Sequence, residues 1–334
     1  YTLQLDSHHR FVKGWDSKCI RMIKQLQKKG HKKPLLTGYI PSYDPANDPE
    51  GRVKSPWKMD FDRFTPEGVI FFLPATIDDW KERTEPVPAR FFSAHFTFTL
   101  GIFCNEVQHD PKYYFHGEEI ALAVRAFTFG YDLFHPHRII AWHEYTRKGR
   151  TKHWDDDQSW VEKNKTTFYR LKGLLGTDGT TCTPCMKKQL EPYYLGEERS
   201  LAEYEKYAGI RFRDRGIQQY TLDKEGYPPN PKVDDYENSF HRVFRHCIDI
   251  HINDVPEDDY EFWAVAFHDE NGGDLFRQDA TRNEVTSLKQ QAKDGWINLW
   301  REYTGPVPSS WSVWPYSKSK EWCTRLDGKL GIEK

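Results

Sequence analysis

The stretch Thr2-Leu3-Gln4-Leu5 alternates polar and apolar residues as a short strand does, and it ends in Asp6-Ser7-His8. Side chains at i and i+2 of a strand share one face, so a continued strand sets the Asp6 carboxylate beside the His8 imidazole. An oxygen and a nitrogen converging at a strand's carboxyl end can hold a divalent cation, and α/β proteins keep their ligands at such ends. The same three residues equally suit an Asx-type turn. His143, in the stretch RIIAWHEY, offers a further nitrogen. Asp6, His8 and His143 then form a mixed set with open positions, for which manganese (Mn2+) is suited. Spacing alone does not choose among these and His9, His95, His135, His137 or His153, and a strand histidine is commonly a hydrogen-bonded structural residue.

Two acidic groups offer other chemistry. Glu118 and Glu119 open an apolar-periodic stretch, where the positive end of a helix dipole favours their charged forms. They would act there as hydrogen-bond acceptors or bases, able to hold sugar hydroxyls, although glutamate in a first turn is also an ordinary stabilising choice. Asp155, Asp156 and Asp157 follow Trp154 in HWDDD, a run that reads as a solvated loop or as a mobile loop closing over a nucleotide-sugar.

The elements that must position these residues alternate. WDSKCIRMIKQLQKKG spaces Trp15, Cys19, Met22, Ile23 and Leu26 as a helix, with Asp16 or Ser17 at its start and Gly30 at its end. KPLLTGYI reads as a buried strand and PSYDPANDPEGRVKSP as a loop. GVIFFL and FFSAHFTFTLGIF follow as strands, the second central. Ile120, Ala123, Val124 and Phe127 make one face of the next helix, ended by Gly130, and RIIAWHEY is a strand. That alternation is an α/β layer whose first half is expected to lie upstream of Tyr1. Past Gly173 the chain is turn-rich, LAEYEKYAGI is a short helix, and DKEGYPPNPKVDDYENS marks a boundary. FRHCIDIHI, a hairpin around Asn271-Gly272-Gly273 and WSVWPYS then suggest a small β-sandwich, while EVTSLKQQAKDGWINLW is ambiguous. Three segments result: 1–172, 173–235 as extension and linker, and 236–334.

Composition narrows the function. A formal net charge of -2 with 29% charged residues speaks against an electrostatic grip on nucleic acid. No apolar run reaches the ~18 residues of a transmembrane segment. The six scattered cysteines, with Cys182 and Cys185 as the lone CxxC, read as reduced thiols of a cytoplasmic protein. Twelve Trp within 15% aromatic residues exceed what a core of this size requires, and flat aromatic faces suit sugar rings.

DSHHRF, PEGVIFF, RFFSAHFTFTLG, YFHGEEIALAVRAFTFGYDLFHPH, WHEYTR and HWDD, in this order and with YAGIRFRDR after them, resemble the cytoplasmic hydroxyproline N-acetylglucosaminyltransferases and their bacterial relatives over about residues 1–215. That family is similar to the polypeptide N-acetylgalactosaminyltransferases, where an Asp-x-His motif and a later histidine hold manganese and the nucleotide diphosphate. The resemblance implies a metal-dependent retaining glycosyltransferase using UDP-N-acetylglucosamine, with Asp6 and His8 on the Asp-x-His motif and His143 as third ligand. It sets Glu118 and Glu119 on a Gly-Glu-Asn-like element facing donor sugar and acceptor, Glu119 departing from the Asn. His95, Arg147, Trp154, Asp155 and Asp156 are the accompanying donor- or acceptor-binding candidates. The implied fold is α/β: a glycosyltransferase A type, Rossmann-like catalytic domain lacking its N-terminal part, followed by the small all-β sandwich. The resemblance implies a hydroxyl acceptor, a protein hydroxyproline or a glycan.

Two rival readings stand beside this one. One is an inactive glycan- or protein-binding module built on the sandwich through Trp263, Trp311 and Trp314. The other is a metallohydrolase using Asp6, His8 and His143, separated by its release of free sugar when an acceptor is present.

Overall fold

The computed structural model describes residues 1–65, 67–146 and 159–330. They form two compact units, Tyr1–Phe240 and His241–Lys334. Arg147, Trp154, Asp155, Asp156, Asp157 and His153 lie outside the described residues.

The first unit is mixed α/β. Its strands are β1 (Thr2–Leu5), β2 (His9–Phe11), β3 (Lys33–Thr37), β4 (Trp57–Phe64), β5 (Ile70–Thr76), β6 (Val87–Pro88), β7 (Phe96–Thr99), β8 (Tyr131–His135) and β9 (Ala141–His143). The main sheet runs β1-β7-β3-β8-β6. β3 and β8 are parallel, and β7 is antiparallel to both β1 and β3. β1, β3 and β8 therefore end on one edge of the sheet, where β7 begins.

Helix α1 (Trp15–Lys28) buries Cys19, Met22, Ile23 and Leu26 against Leu36, Phe96, Phe98 and Phe134 of that sheet. The four are the apolar face that the spacing marks, and their burial is what stabilises the helix. The capping differs from expectation: Gly14, in the left-handed region at φ 68°, precedes the helix, and Asp16 lies inside its first turn. Two short pieces follow later, α2 (Phe103–Glu106) and α3 (Glu118–Thr128). α3 is buried from Ile120 to Thr128, because β8 and the helices Trp160–Leu175 and Leu201–Ala208 surround it.

Two differences matter for the site. The strand that follows α3 and joins the sheet is β8, in the stretch YDLFH, rather than RIIAWHEY. Within RIIAWHEY only Ala141–His143 is extended, and it pairs with β2 in a separate ribbon, setting His9 opposite His143. WKMDFDRF, unassigned from pattern, is β4 and pairs with β5.

Residues 173–235 pack within the first unit. Arg90, 5% exposed, donates to the Ala208 carbonyl at 3.1 Å, the Gly226 carbonyl at 3.4 Å and the Asn230 side-chain oxygen at 2.8 Å. Charge-assisted bonds of this kind are roughly twice as strong as neutral ones, and deleting the donor leaves buried acceptors unpaired. Arg90→Met is expected to destabilise the unit by about 3 kcal/mol. The urea midpoint of a fluorescence melt measures this, and a cost below ~1 kcal/mol would show that the segment is held elsewhere.

The first unit ends with the short antiparallel strands β10 (Ile210–Arg211) and β11 (Gly216–Gln218). In the second unit, β12 (Phe240–His251) pairs with β16 (Trp296–Gly305), while β13 (Tyr260–His268) lies between β17 (Ser310–Ser317) on one side and β14 (Asp274–Arg277) and β15 (Ala280–Thr281) on the other. Inward residues of both sheets, among them Ile248, Ile250, Trp263, Val265, Ile297, Leu299 and Val313, share one buried cluster. The helix Arg282–Gln290 adds Val285 to that cluster, and EVTSLKQQAKDGWINLW thus divides into helix and strand. Trp263 is fully buried, so it cannot serve as a binding platform; Trp311 packs partly against the same core. Among the described residues no helix is long and apolar enough to cross a membrane.

Candidate active site

The edge where β1, β3 and β8 end carries the candidate residues. Asp6 follows β1 directly, and its two carboxylate oxygens face different partners. Oδ1 accepts the Ser7 amide at 2.7 Å, while Oδ2 lies 3.5 Å from Nε2 of His143. The turn and the pairing are thus both present. His143 is 7% exposed and fixed through its backbone, its amide donating to the Pro41 carbonyl at 2.9 Å.

The strand does not continue through His8. Its φ of 70° lies in the left-handed region, so the chain reverses there and β2 starts at His9. His8 is exposed on the turn, instead of sharing a strand face with Asp6. A non-glycine residue at positive φ is uncommon, and such strain concentrates at functional turns. His9 instead packs its ring 4.7 Å from that of His143. Its Nδ1 is 3.0 Å from the Asp6 carbonyl and must donate to it, which leaves the lone pair on Nε2. That Nε2 is buried and has no hydrogen-bond partner among the described residues. Burial, with His143 nearby, holds His9 down to about 4.

Behind this group stands a stack of rings. His95 is centred 5.1 Å from Tyr39 on one side and 5.1 Å from His143 on the other, at 19° to each. Its Nε2 accepts the Ile40 amide at 3.0 Å and its Nδ1 meets Ser93 Oγ at 3.1 Å, while burial keeps the ring neutral. Both nitrogens are engaged and both ring faces are covered, so His95 positions His143 instead of binding donor or acceptor itself. Tyr145 donates to the Ile40 carbonyl at 2.7 Å and sets its ring edge-on to His143 at 4.5 Å. Tyr39 and Tyr145 were missed in the sequence because they lie just beyond strand ends in loops without periodicity. Gly38 precedes Tyr39, and a Cβ there would lie 2.7 Å from Nδ1 of His135, so only glycine fits. His135 itself is structural, its Nδ1 2.8 Å from the Thr37 carbonyl and burial holding it to about 4.

The two glutamates at the start of α3 have separate environments. Glu118 meets Nε2 of His109 at 2.7 Å, which raises His109. Glu119 turns inward: its Oε1 accepts the Ala94 amide at 2.9 Å and its Oε2 lies 3.5 Å from the Tyr39 hydroxyl. The helix dipole favours the charged form of Glu119, but burial opposes it and raises the carboxyl to about 7. Glu119 therefore reaches the ring stack through both Ala94 and Tyr39.

A family model described as "Glycosyltransferase (GlcNAc)" matches residues 1–214, a span that contains this whole site. The chain belongs to that glycosyltransferase family. A comparison with curated proteins gives no match. The family's activity is glycosyl transfer, which requires a sugar donor and an acceptor. Among the described residues no three carboxylate, imidazole or thiol groups form a ready-made cage for a metal ion. The donors that do meet, an Asp6 oxygen and a His143 nitrogen, fit a cation that takes its other ligands from a diphosphate and water. The turn after β1 adds the exposed imidazole of His8, and the start of β2 adds Nε2 of His9, which has no hydrogen-bond partner among the described residues.

Proposed function

We propose that this glycosyltransferase moves N-acetylglucosamine from UDP-N-acetylglucosamine to a hydroxyl acceptor, with retention at the anomeric carbon. The observation that carries the reading is the meeting of Asp6 and His143 at the edge where three parallel strands end. Asp6 and His143, with His8 from the adjoining turn, would hold a divalent cation, preferably Mn2+, which would neutralise the departing diphosphate. Glu118, at the mouth of α3, accepts a hydrogen bond from the donor sugar, and the His95–Tyr39–Glu119 stack fixes the ring of His143 in place. The anomeric C–O bond to the diphosphate breaks as a bond to the acceptor oxygen forms on the same face. The acceptor proton passes to the departing phosphate oxygen, so no side chain need act as nucleophile. The fold is of glycosyltransferase A type, and Arg147, Trp154, Asp155 and Asp156 bind the donor or the acceptor. The acceptor is a hydroxyproline of a protein or a sugar hydroxyl. All six cysteines are free, which supports a reducing compartment such as the cytoplasm.

The test is UDP release from UDP-N-acetylglucosamine with a hydroxyproline peptide or a glycan present. Release is expected to need Mn2+, to stop on adding a chelator, and to yield the sugar bound to acceptor. Free N-acetylglucosamine as the main product in the presence of acceptor would make the site hydrolytic.

A further inference from the structure

The outward face of the second unit's β12–β16 pair carries residues that its core does not use. The register sets His251 opposite Trp296, Asp249 opposite Asn298, Cys247 opposite Trp300 and Arg245 opposite Glu302. Between these rungs, Ile248, Ile250, Ile297 and Leu299 point inward and are buried. Trp296 and Trp300 are 48% and 51% exposed, a large area of aromatic surface in water on a strand whose alternate residues are already buried.

The two indoles are held in place by their neighbours. The Arg245 guanidinium stands 4.6 Å from the Trp300 ring centre. His251 meets Trp296 nearly at right angles, 5.0 Å between centres, and its own Nδ1 accepts the Asn253 amide at 3.3 Å. Gly295 makes room for that imidazole, since a Cβ there would lie 3.0 Å from Nε2. Between the indoles, Asn298 donates to Asp249 at 2.6 Å, which leaves the second Asp249 oxygen and the Asn298 carbonyl for a ligand.

We propose that this face binds a glycan chain, its pyranose rings stacking on Trp296 and Trp300 and its hydroxyls bonding to Asp249 and Asn298. Four residues of strand separate the indoles by roughly 13 Å, more than one monosaccharide covers, so the ligand is an oligosaccharide. Charge and polarity exclude the other broad classes. A polyphosphate backbone would meet the Asp249 and Glu302 carboxylates, and a dry protein interface would strand the Asp249–Asn298 pair without its remaining partners. A neutral polyhydroxylated chain satisfies both the apolar faces and the polar pair. The site stands apart from the transferase reading, since binding involves neither donor nor cation.

Titration of the full chain with β-linked N-acetylglucosamine and glucose oligomers of one to six units, read by calorimetry and tryptophan fluorescence, tests this. Affinity for at least one series is expected to rise about tenfold between the monosaccharide and the tetramer and then to level off. Trp296→Ala and Trp300→Ala should each lose about tenfold, Asp249→Ala severalfold, and Trp314→Ala, on the other sheet, nothing. Near-UV circular dichroism establishes that the variants remain folded. Absence of binding at millimolar concentration in both series, affinity independent of length, or full binding by the folded Trp296 and Trp300 variants would each overturn the proposal. None of these results depends on UDP release, so failure here leaves the transferase reading standing, and failure there leaves this one.

Discussion

Asp6→Ala is expected to lower Mn2+-dependent UDP release by at least about 100-fold while leaving the protein folded. Its carboxylate is exposed, and besides the 3.5 Å approach to His143 it is bonded, among the described residues, only within its own turn, to the Ser7 amide at 2.7 Å and the Ser7 hydroxyl at 3.4 Å, whose loss costs about 1 kcal/mol or less. Activity and stability therefore separate in this variant, which is the mark of a group that meets substrate or cation. The substitution leaves His143 in its backbone frame and in contact with the His95 and Tyr145 rings. Turnover unchanged within twofold would remove Asp6 from the machinery, whatever the fate of the other ligands. His8→Ala and His9→Ala complete the assignment. Loss of Mn2+-dependent UDP release in the first variant alone is expected; loss in the second alone would transfer the ligand role to the buried Nε2 of His9.

The sequence made the elements legible where one face had to be buried and obscured them where backbone geometry decided. The apolar spacing of α1 and α3, the hairpin at Asn271-Gly272-Gly273 and the period-two stretch of β12 all correspond to observed elements, because each follows from burial of one face. Asp6 and His143 were legible as partners by residue type, and they do meet. The position of His8 was not, since nothing in Asp-Ser-His-His states that the third residue takes φ 70° and moves the next imidazole beside His143. β8 was hidden within GYDLFHPH, four of whose eight residues are polar or proline, and it is set by parallel pairing with β3 across a long separation in sequence. The same ambiguity concealed the exposed indole face on β16. Trp296 and Trp300 fall in a segment that begins as helix, and only the register shows that their neighbours Ile297 and Leu299 fill the core in their stead.

Glu119 makes the second large effect, on stability. The unfolded carboxyl releases its proton near 4.5, whereas the folded one, enclosed with Tyr39 and Ala94, holds it to about 7. Between those values the unfolded state binds fewer protons, so this group lowers stability as pH rises from about 4.5 to about 7 and adds no further change above. The full difference is on the order of 3 kcal/mol. Histidines act in the opposite direction. His9, His135 and His137 are each held to about 4 by burial, so their contribution is present above the ordinary value of 6.5 and lost as pH falls toward 4. The wild-type profile mixes the two trends, and subtraction isolates the carboxyl. Glu119→Gln keeps an acceptor for the Ala94 amide and removes the titration. Its stability relative to wild type is expected to rise from pH 4.5 to pH 7 and then stay level, as measured by urea melts at half-unit intervals. A difference curve that is flat across that window would mean that the carboxyl is ionised in the folded protein, as the helix dipole alone would have it.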